Sequence, residues 1–148
     1  MEIKTSLQIA KSPKEVYQAI ISPDQMKNYF ISESSGQLEE SKRIEWKFPE
    51  FKESFFIEVI QMVDNQLVVF EWPGTSDQLL KVQIELSEVK TNHTLVTITE
   101  GEMNFSEENL NWVVLNTAGW AHFLACLKAY LEFGINLRKG SFDHLSDF

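Results

Sequence analysis

Apolar and polar residues alternate in short runs through the middle of the chain. Every second residue is apolar at Ile44, Trp46 and Phe48, and again from Val82 through Ile84 to Leu86. This period of two is typical of a β-strand with one face in the core. The pattern, together with short runs of aromatic and β-branched residues, predicts strands at 1–10, 43–48, 54–63, 67–72, 79–89 and 94–100. Turn residues separate the later runs, at Pro49, Asp64-Asn65, Pro73-Gly74 and Thr91-Asn92, so an antiparallel meander is expected.

A different period governs the segment 105–134. Its apolar residues recur at helical spacing, as Val113, Trp120, Leu124, Leu127 and Leu131. The serine at 106 is a good N-cap, and the glycine at 134 is a common left-handed stop. The spacing predicts one long helix of about 40 Å, which needs a surface of similar length to pack against.

Two Ser-Pro pairs near the N-terminus predict the starts of two short helices. Ser12-Pro13 is followed by Glu15, which completes a capping box, and apolar residues then follow at helical spacing. Ser22-Pro23 repeats the pattern, with Gln25 in the place of the glutamate. The segment 31–38 is rich in Ser, Glu and Gly and is predicted to be a loop.

The order of these elements predicts an α+β domain at 1–134, followed by a tail at 135–148. The curved antiparallel sheet is expected to wrap around the long helix. A length of 148 residues with 43% hydrophobic content is enough for one core.

Charge and composition restrict the partners. The formal net charge is -9 and the 13 basic residues are scattered, which argues against nucleic acid. No apolar run reaches the roughly 18 residues of a membrane span, and the N-terminus does not read as a secretory leader, so a cytoplasmic protein with no membrane partner is expected. The single cysteine, Cys126, is expected to be a small apolar residue of the long helix.

Candidate catalytic and metal-binding groups are scattered. His93 lies in a turn, His122 in the long helix and His144 in the tail, none of them at a spacing typical of a metal site or a nucleophilic triad. The loop carboxylates, Glu50 among them, are expected to be solvated. We therefore predict no catalytic residue, no metal and no cofactor.

Several segments, in order, are similar to a known family. They are 10–20, Pro23, Tyr29-Phe30, 67–72, 82–86, and Gly119-Trp120 followed by Leu124, Leu127 and Leu131. The chain resembles the helix-grip fold of the START-like (SRPBCC) superfamily, and within it the branch named after the activator of Hsp90 ATPase. It departs from that branch at 39–43, where the family usually carries a Gly-Gly pair.

The resemblance implies a small hydrophobic ligand, lipid-like or aromatic, held between the sheet and the long helix. The expected ligand-binding residues are Tyr29, Phe30, Trp46, Phe48, Phe70, Trp72, Val82, Ile84, Val113, Asn116, Trp120, Phe123, Leu124 and Leu127. The alternative is that these side chains fill the space and leave no cavity.

The resemblance also implies two other functions. One is a co-chaperone-like interaction with Hsp90 that stimulates its ATPase. The other is a polyketide cyclase-like enzyme in which Tyr29, Asn116 or Glu71 would move protons. A homodimer is a further alternative. It would be formed by the segments 55–57 and 67–70, which look apolar on both faces, and by Phe142, Leu145 and Phe148, which otherwise pack onto their own domain.

Overall fold

The computed structural model describes residues 1–146 and contains a sheet and three α-helices. In chain order the elements are β1 Glu2–Ile9, α1 Pro13–Ile21, α2 Pro23–Met26, β2 Glu33–Ser34, β3 Arg43–Lys47, β4 Phe55–Val63, β5 Leu67–Pro73, β6 Leu79–Lys90, β7 His93–Gly101 and α3 Glu107–Phe133. A short 3₁₀ turn, Asp143–Leu145, follows in the tail. The predicted tail includes Asp147 and Phe148, which lie outside the described residues.

The sheet has seven antiparallel strands in the order β1-β7-β6-β5-β4-β3-β2. Strands β2 to β7 follow one another as a meander, and β1 completes the sheet by pairing with β7. The register shifts between Val59 and Gln61 and again between Glu88 and Lys90. Such irregularities bend strands, and the curved sheet wraps around α3 as the helix-grip fold requires.

The helix caps follow the local sequence. Ser12 forms the expected capping box with Glu15, and the hydrogen bonds from the Ser12 backbone and side chain hold the pKa of Glu15 below its ordinary value. Ser106 caps α3 through the Asn109 N–H, and Gly134 ends that helix in the left-handed region with φ of 65°.

The start of the second short helix was predicted correctly, whereas the loop predicted at 31–38 was not. The second Ser-Pro pair begins a helix of only four residues, and Ser22 makes no side-chain capping bond. Its neighbour Pro23 occupies the first turn, but the chain leaves the helix at Lys27 and continues as a turn. The predicted loop at 31–38 contains the short edge strand β2, which pairs with β3 through Ser34 and Trp46.

The core lies between the inner face of the sheet and α3, and α1 and α2 contribute buried residues to it. Along β7 every second residue is buried, namely Thr94, Val96, Ile98 and Glu100. The C-terminal half of α3 buries Phe123, Leu124 and Leu127 against this face, whereas its N-terminal half is more exposed.

Candidate ligand pocket

The space between the sheet and α3 is filled by aromatic side chains. Phe30 packs edge-to-face on Trp46 and on Phe123, with ring centroids 5.6 Å and 4.8 Å apart. Trp46 meets Phe70 in the same way at 5.5 Å. The cavity left among these rings is about 10 Å³, which is scarcely room for one water molecule.

A larger pocket of about 540 Å³ opens beside this cluster. One wall is the middle of α3, and the opposite walls are the loop after β3 and the tail that follows Gly134. The lining residues are Phe30, Phe48, Glu50, Phe51, Trp72, Leu115, Asn116, Ala118, Gly119, Trp120, His122, Phe123, Cys126, Arg138, Phe142, His144 and Leu145. Most of the wall is therefore apolar or aromatic, which suits an apolar molecule.

The floor of the pocket is a row of stacked and tilted rings. Trp72 of β5 stacks on Trp120 of α3, with centroids 5.1 Å apart and 29° between the ring planes. Phe48 meets Phe30 edge-to-face at 5.1 Å. Offset and edge-on contacts are the arrangements that aromatic rings favour, so these contacts stabilise the floor without a ligand.

An ion pair fixes the tail as a wall. Both guanidinium nitrogens of Arg138 donate to the Glu50 carboxylate, at 3.0 Å and 2.7 Å. Arg138 also lies over the rings of Phe48 and Phe142, at 5.2 Å and 4.7 Å from their centroids. The expectation of a solvated Glu50 was wrong, because its side chain is only 6% exposed and that of Arg138 only 13%.

Behind the helix wall lies a buried carboxylate, Glu100, with no measurable exposure. Three side chains of α3 donate N–H groups to it. Trp120 Nε1 lies 2.9 Å from Oε1, Trp112 Nε1 donates to Oε2, and Asn116 Nδ2 lies 3.5 Å and 3.3 Å from the two oxygens. Hydrogen bonds, rather than a salt bridge, satisfy this carboxylate within the described chain.

The indole groups of Trp46 and Trp72 differ from those of Trp112 and Trp120, which donate to Glu100. Within residues 1–146, the buried Nε1 atoms of Trp46 and Trp72 have no hydrogen-bond partner. A buried donor without an acceptor costs about 1 to 3 kcal/mol, so the aromatic cluster is held by packing at these positions rather than by polar contacts.

The fourteen expected ligand-binding residues occupy three kinds of position. Those that line the large pocket are Phe30, Phe48, Trp72, Asn116, Trp120 and Phe123. Three other expected residues, Trp46, Phe70 and Ile84, line the small cavity instead. Phe30, Trp120 and Phe123 line both spaces. The remaining ones belong to the core or its edge, namely Tyr29, Val82, Val113, Leu124 and Leu127.

Tyr29 is a buried core residue that also borders a second pocket, of about 450 Å³, beside the tail. Its hydroxyl donates to the Ala19 carbonyl at 2.7 Å, and its ring contacts Phe123 and Tyr130. Burial raises the pKa of Tyr29 well above its ordinary value. The tyrosine therefore acts as a neutral link between α1 and the core.

The tail residues and Cys126 were not among the expected lining residues. A tail has no periodicity that ties it to a distant loop, and Arg138 is 88 positions from its partner Glu50. Burial raises the pKa of the Cys126 thiol, so this group is mainly protonated at neutral pH.

Across residues 1–146, no three His, Cys, Asp or Glu side chains are grouped so that they could hold a metal ion. In the same part of the chain, no helix combines the length and apolarity needed to cross a membrane.

The sequence of this helix-grip domain matches one family model. The model is that of the activator of Hsp90 ATPase homolog 1-like protein, and it matches residues 10–132. The chain belongs to this family. No curated protein matches it.

Solved structures support the assignment of this family member. The protein SSP2350 from Staphylococcus saprophyticus is 30% identical with a TM-score of 0.81, over 93% of this chain and 96% of that one. The Aha1 dimer from Colwellia psychrerythraea is 24% identical with a TM-score of 0.77, over 90% and 98%. CalU16 from Micromonospora echinospora is 16% identical with a TM-score of 0.72, over 97% and 81%. At the two lower identities, the likeness concerns the fold alone.

Proposed function

We propose that this START-like domain binds one small hydrophobic molecule, lipid-like or aromatic, in the pocket between α3, the loop after β3 and the tail. The observation that carries the proposal is the 540 Å³ pocket with its aromatic floor. Ligand sites in proteins have volumes of about 300 to 1,000 Å³ and mostly apolar walls. The binding site is thus proposed beside the aromatic cluster, rather than in the filled space between sheet and helix.

Two polar groups of the wall, Glu50 and Asn116, support binding rather than catalysis. Glu50 is held by Arg138 through two hydrogen bonds, and Asn116 is held by Glu100. A general acid or base needs a free proton-transfer group within reach of its substrate, and neither of these groups is free. His122 and His144 also line the pocket, and Ala variants of both should still bind the ligand without a chemical change of the ligand.

A pair of matched variants tests this function. Ala118 and Ala121 are both exposed on α3, but Ala118 lines the pocket and Ala121 does not. Naphthalene binding would be measured by calorimetry and by thermal shift with wild type, Ala118→Phe and Ala121→Phe. We expect the phenyl group at 118 to weaken binding at least about tenfold, because it occupies ligand volume, and the group at 121 to leave it unchanged.

Two results would overturn this proposal. One is the absence of a thermal shift with naphthalene and with a panel of larger apolar molecules. The other is an equal loss of binding in both variants, which would place the ligand elsewhere. Native mass spectrometry of the purified protein would show independently whether a small molecule accompanies it.

A second candidate function is contact with an Hsp90-type chaperone. The family model that matches residues 10–132 is named for activation of the Hsp90 ATPase, and this name is what favours the candidate. The expected outcome is a higher Hsp90 ATPase rate with excess protein. An unchanged rate, together with no complex in sedimentation, would contradict it.

A homodimer is proposed as well, since the similar Colwellia psychrerythraea structure is described as a dimer. Val114 is 61% exposed on α3, lies outside the pocket lining and offers an apolar contact surface. Sedimentation equilibrium would then give twice the monomer mass of 17.2 kDa, and Val114→Glu would restore the monomer. A wild-type monomer at all concentrations would refute this proposal.

A further inference from the structure

Asn116 is the polar residue of the pocket wall whose orientation the buried carboxylate fixes. It is half-buried and lines the pocket, while its Nδ2 donates backwards to Glu100 at 3.3 Å and 3.5 Å. The residue therefore connects the ligand side of α3 with the buried side.

The chemistry of Glu100 decides which end of the Asn116 amide faces it. The oxygens of Glu100 already accept hydrogen bonds from the indole N–H groups of Trp112 and Trp120. An acceptor attracts the NH₂ end of an amide and repels the oxygen end. Asn116 must thus direct Nδ2 to Glu100 and Oδ1 away from it.

In this arrangement the amide oxygen of Asn116 takes no part in the contact with Glu100. No group in residues 1–146 donates a hydrogen bond to Oδ1. Among the other polar wall residues, the Glu50 carboxylate already accepts from Arg138, and His122 and His144 are exposed rings that the structure does not hold in one orientation through a buried partner. Asn116 thus provides the pocket with an acceptor of fixed orientation.

We propose that Asn116 is a specificity-determining residue, whose Oδ1 accepts a hydrogen bond from a hydroxyl or N–H group on an otherwise apolar ligand. Glu100 is the positioning residue that keeps the amide in this orientation. The inference rests on the proposed function, and it narrows the ligand class to apolar molecules that carry a hydrogen-bond donor. The aromatic floor formed by Trp72 and Trp120 holds the apolar part of the same ligand.

The test compares two probes that differ at one group. 2-Naphthol carries a hydroxyl donor, and 2-methoxynaphthalene has a methyl group in place of that hydrogen. The ratio of their dissociation constants would be measured by calorimetry for wild type, Asn116→Leu and the control Asn111→Leu, which makes the same change at an exposed position of α3 outside the pocket.

We expect Asn116→Leu to reduce the preference for 2-naphthol by about 3- to 10-fold, the value of one neutral hydrogen bond. The control variant should keep the wild-type ratio. Because the ratio compares two ligands on one protein, a change in folded fraction cancels. A ratio that Asn116→Leu leaves unchanged would overturn the role of Asn116.

Glu100→Gln tests the positioning role through the same ratio. Glutamine can present its own NH₂ to Asn116, so the amide can turn over and the preference for the donor probe should fall towards that of Asn116→Leu. An unchanged ratio in this variant would refute the positioning role of Glu100. If neither probe binds wild type, the proposed pocket function itself fails, which is a different result from binding without selectivity.

Discussion

Replacing Glu100 by Gln perturbs the buried network with almost no change of shape. Trp120 donates to Oε1 and Trp112 donates to Oε2, so the two indoles use different oxygens. Glutamine keeps only one oxygen. In either orientation of its amide, one indole N–H then faces an NH₂ group and loses its acceptor.

The size of the effect follows from this lost acceptor. A buried donor left unpaired costs about 1 to 3 kcal/mol, and Glu100 is completely buried. We expect Glu100→Gln to lower the free energy of unfolding by this amount. For a domain of this length the melting temperature should fall by roughly 3 to 10 °C.

Urea unfolding at neutral pH, followed by circular dichroism, would measure the change. The matched control is Glu88→Gln, an exposed glutamate of β6, which should alter the unfolding free energy by no more than about 0.5 kcal/mol. Double-mutant cycles with Trp112→Phe and Trp120→Phe complete the design. For the indole that loses its acceptor, the Trp→Phe substitution should lower the free energy of unfolding less in Glu100→Gln than in wild type.

The reasoning would be refuted if Glu100→Gln unfolded within about 0.5 kcal/mol of wild type. It would also be refuted if both cycles gave coupling energies close to zero. Either result would mean that the three N–H contacts do not stabilise the fold through Glu100.

Three further outcomes are expected. Burial pushes the pKa of Glu132 upwards, but hydrogen bonds from Lys128 and the Ala10 N–H outweigh it and hold the pKa below its ordinary value. The stability that Glu132 contributes is therefore present above the pKa of the unfolded chain and is lost as the pH falls through the lower pKa of the folded protein, so urea unfolding should show Glu132→Gln and wild type converging in acid. Cys126 should react with a thiol reagent far more slowly in the folded than in the unfolded protein at pH 7, and more slowly still with naphthalene bound, because it is buried and lines the pocket. Gly119→Ala should raise the free energy of unfolding by about 1 kcal/mol, since no atom lies within 4 Å of the added carbon, and a loss in thermal or urea unfolding would contradict that open space.

The fold could be predicted because its signals are local. Alternation along β6 and β7 gives the strands and their inner faces, and Ser106 and Gly134 give the two ends of α3. The two Ser-Pro pairs both mark helix starts, but the helix that follows the second pair has only four residues. What separates them is a capping hydrogen bond, which Ser12 makes and Ser22 does not.

The pocket was harder to predict from the sequence than the fold. Pattern shows that Trp46 and Phe70 face inwards, but whether inward rings leave a cavity depends on how their volumes interlock, and here they leave about 10 Å³. The contact between the tail and the loop after β3 could not be predicted, because nothing near Arg138 in the sequence points to Glu50. The sequence does contain a signal that Glu100 faces inwards, because Glu100 continues the alternation of Val96 and Ile98 along β7.

The two halves of α3 are attached to the sheet by different forces. Leu124 and Leu127 anchor the C-terminal half by apolar burial. The N-terminal half has less apolar surface against the sheet, and Trp112, Asn116 and Trp120 attach it through hydrogen bonds to the single residue Glu100. The proposed ligand would contact Asn116 in this same network. Because any group that binds only the folded state stabilises it, a ligand seated on Asn116 should reinforce the polar half of the helix most.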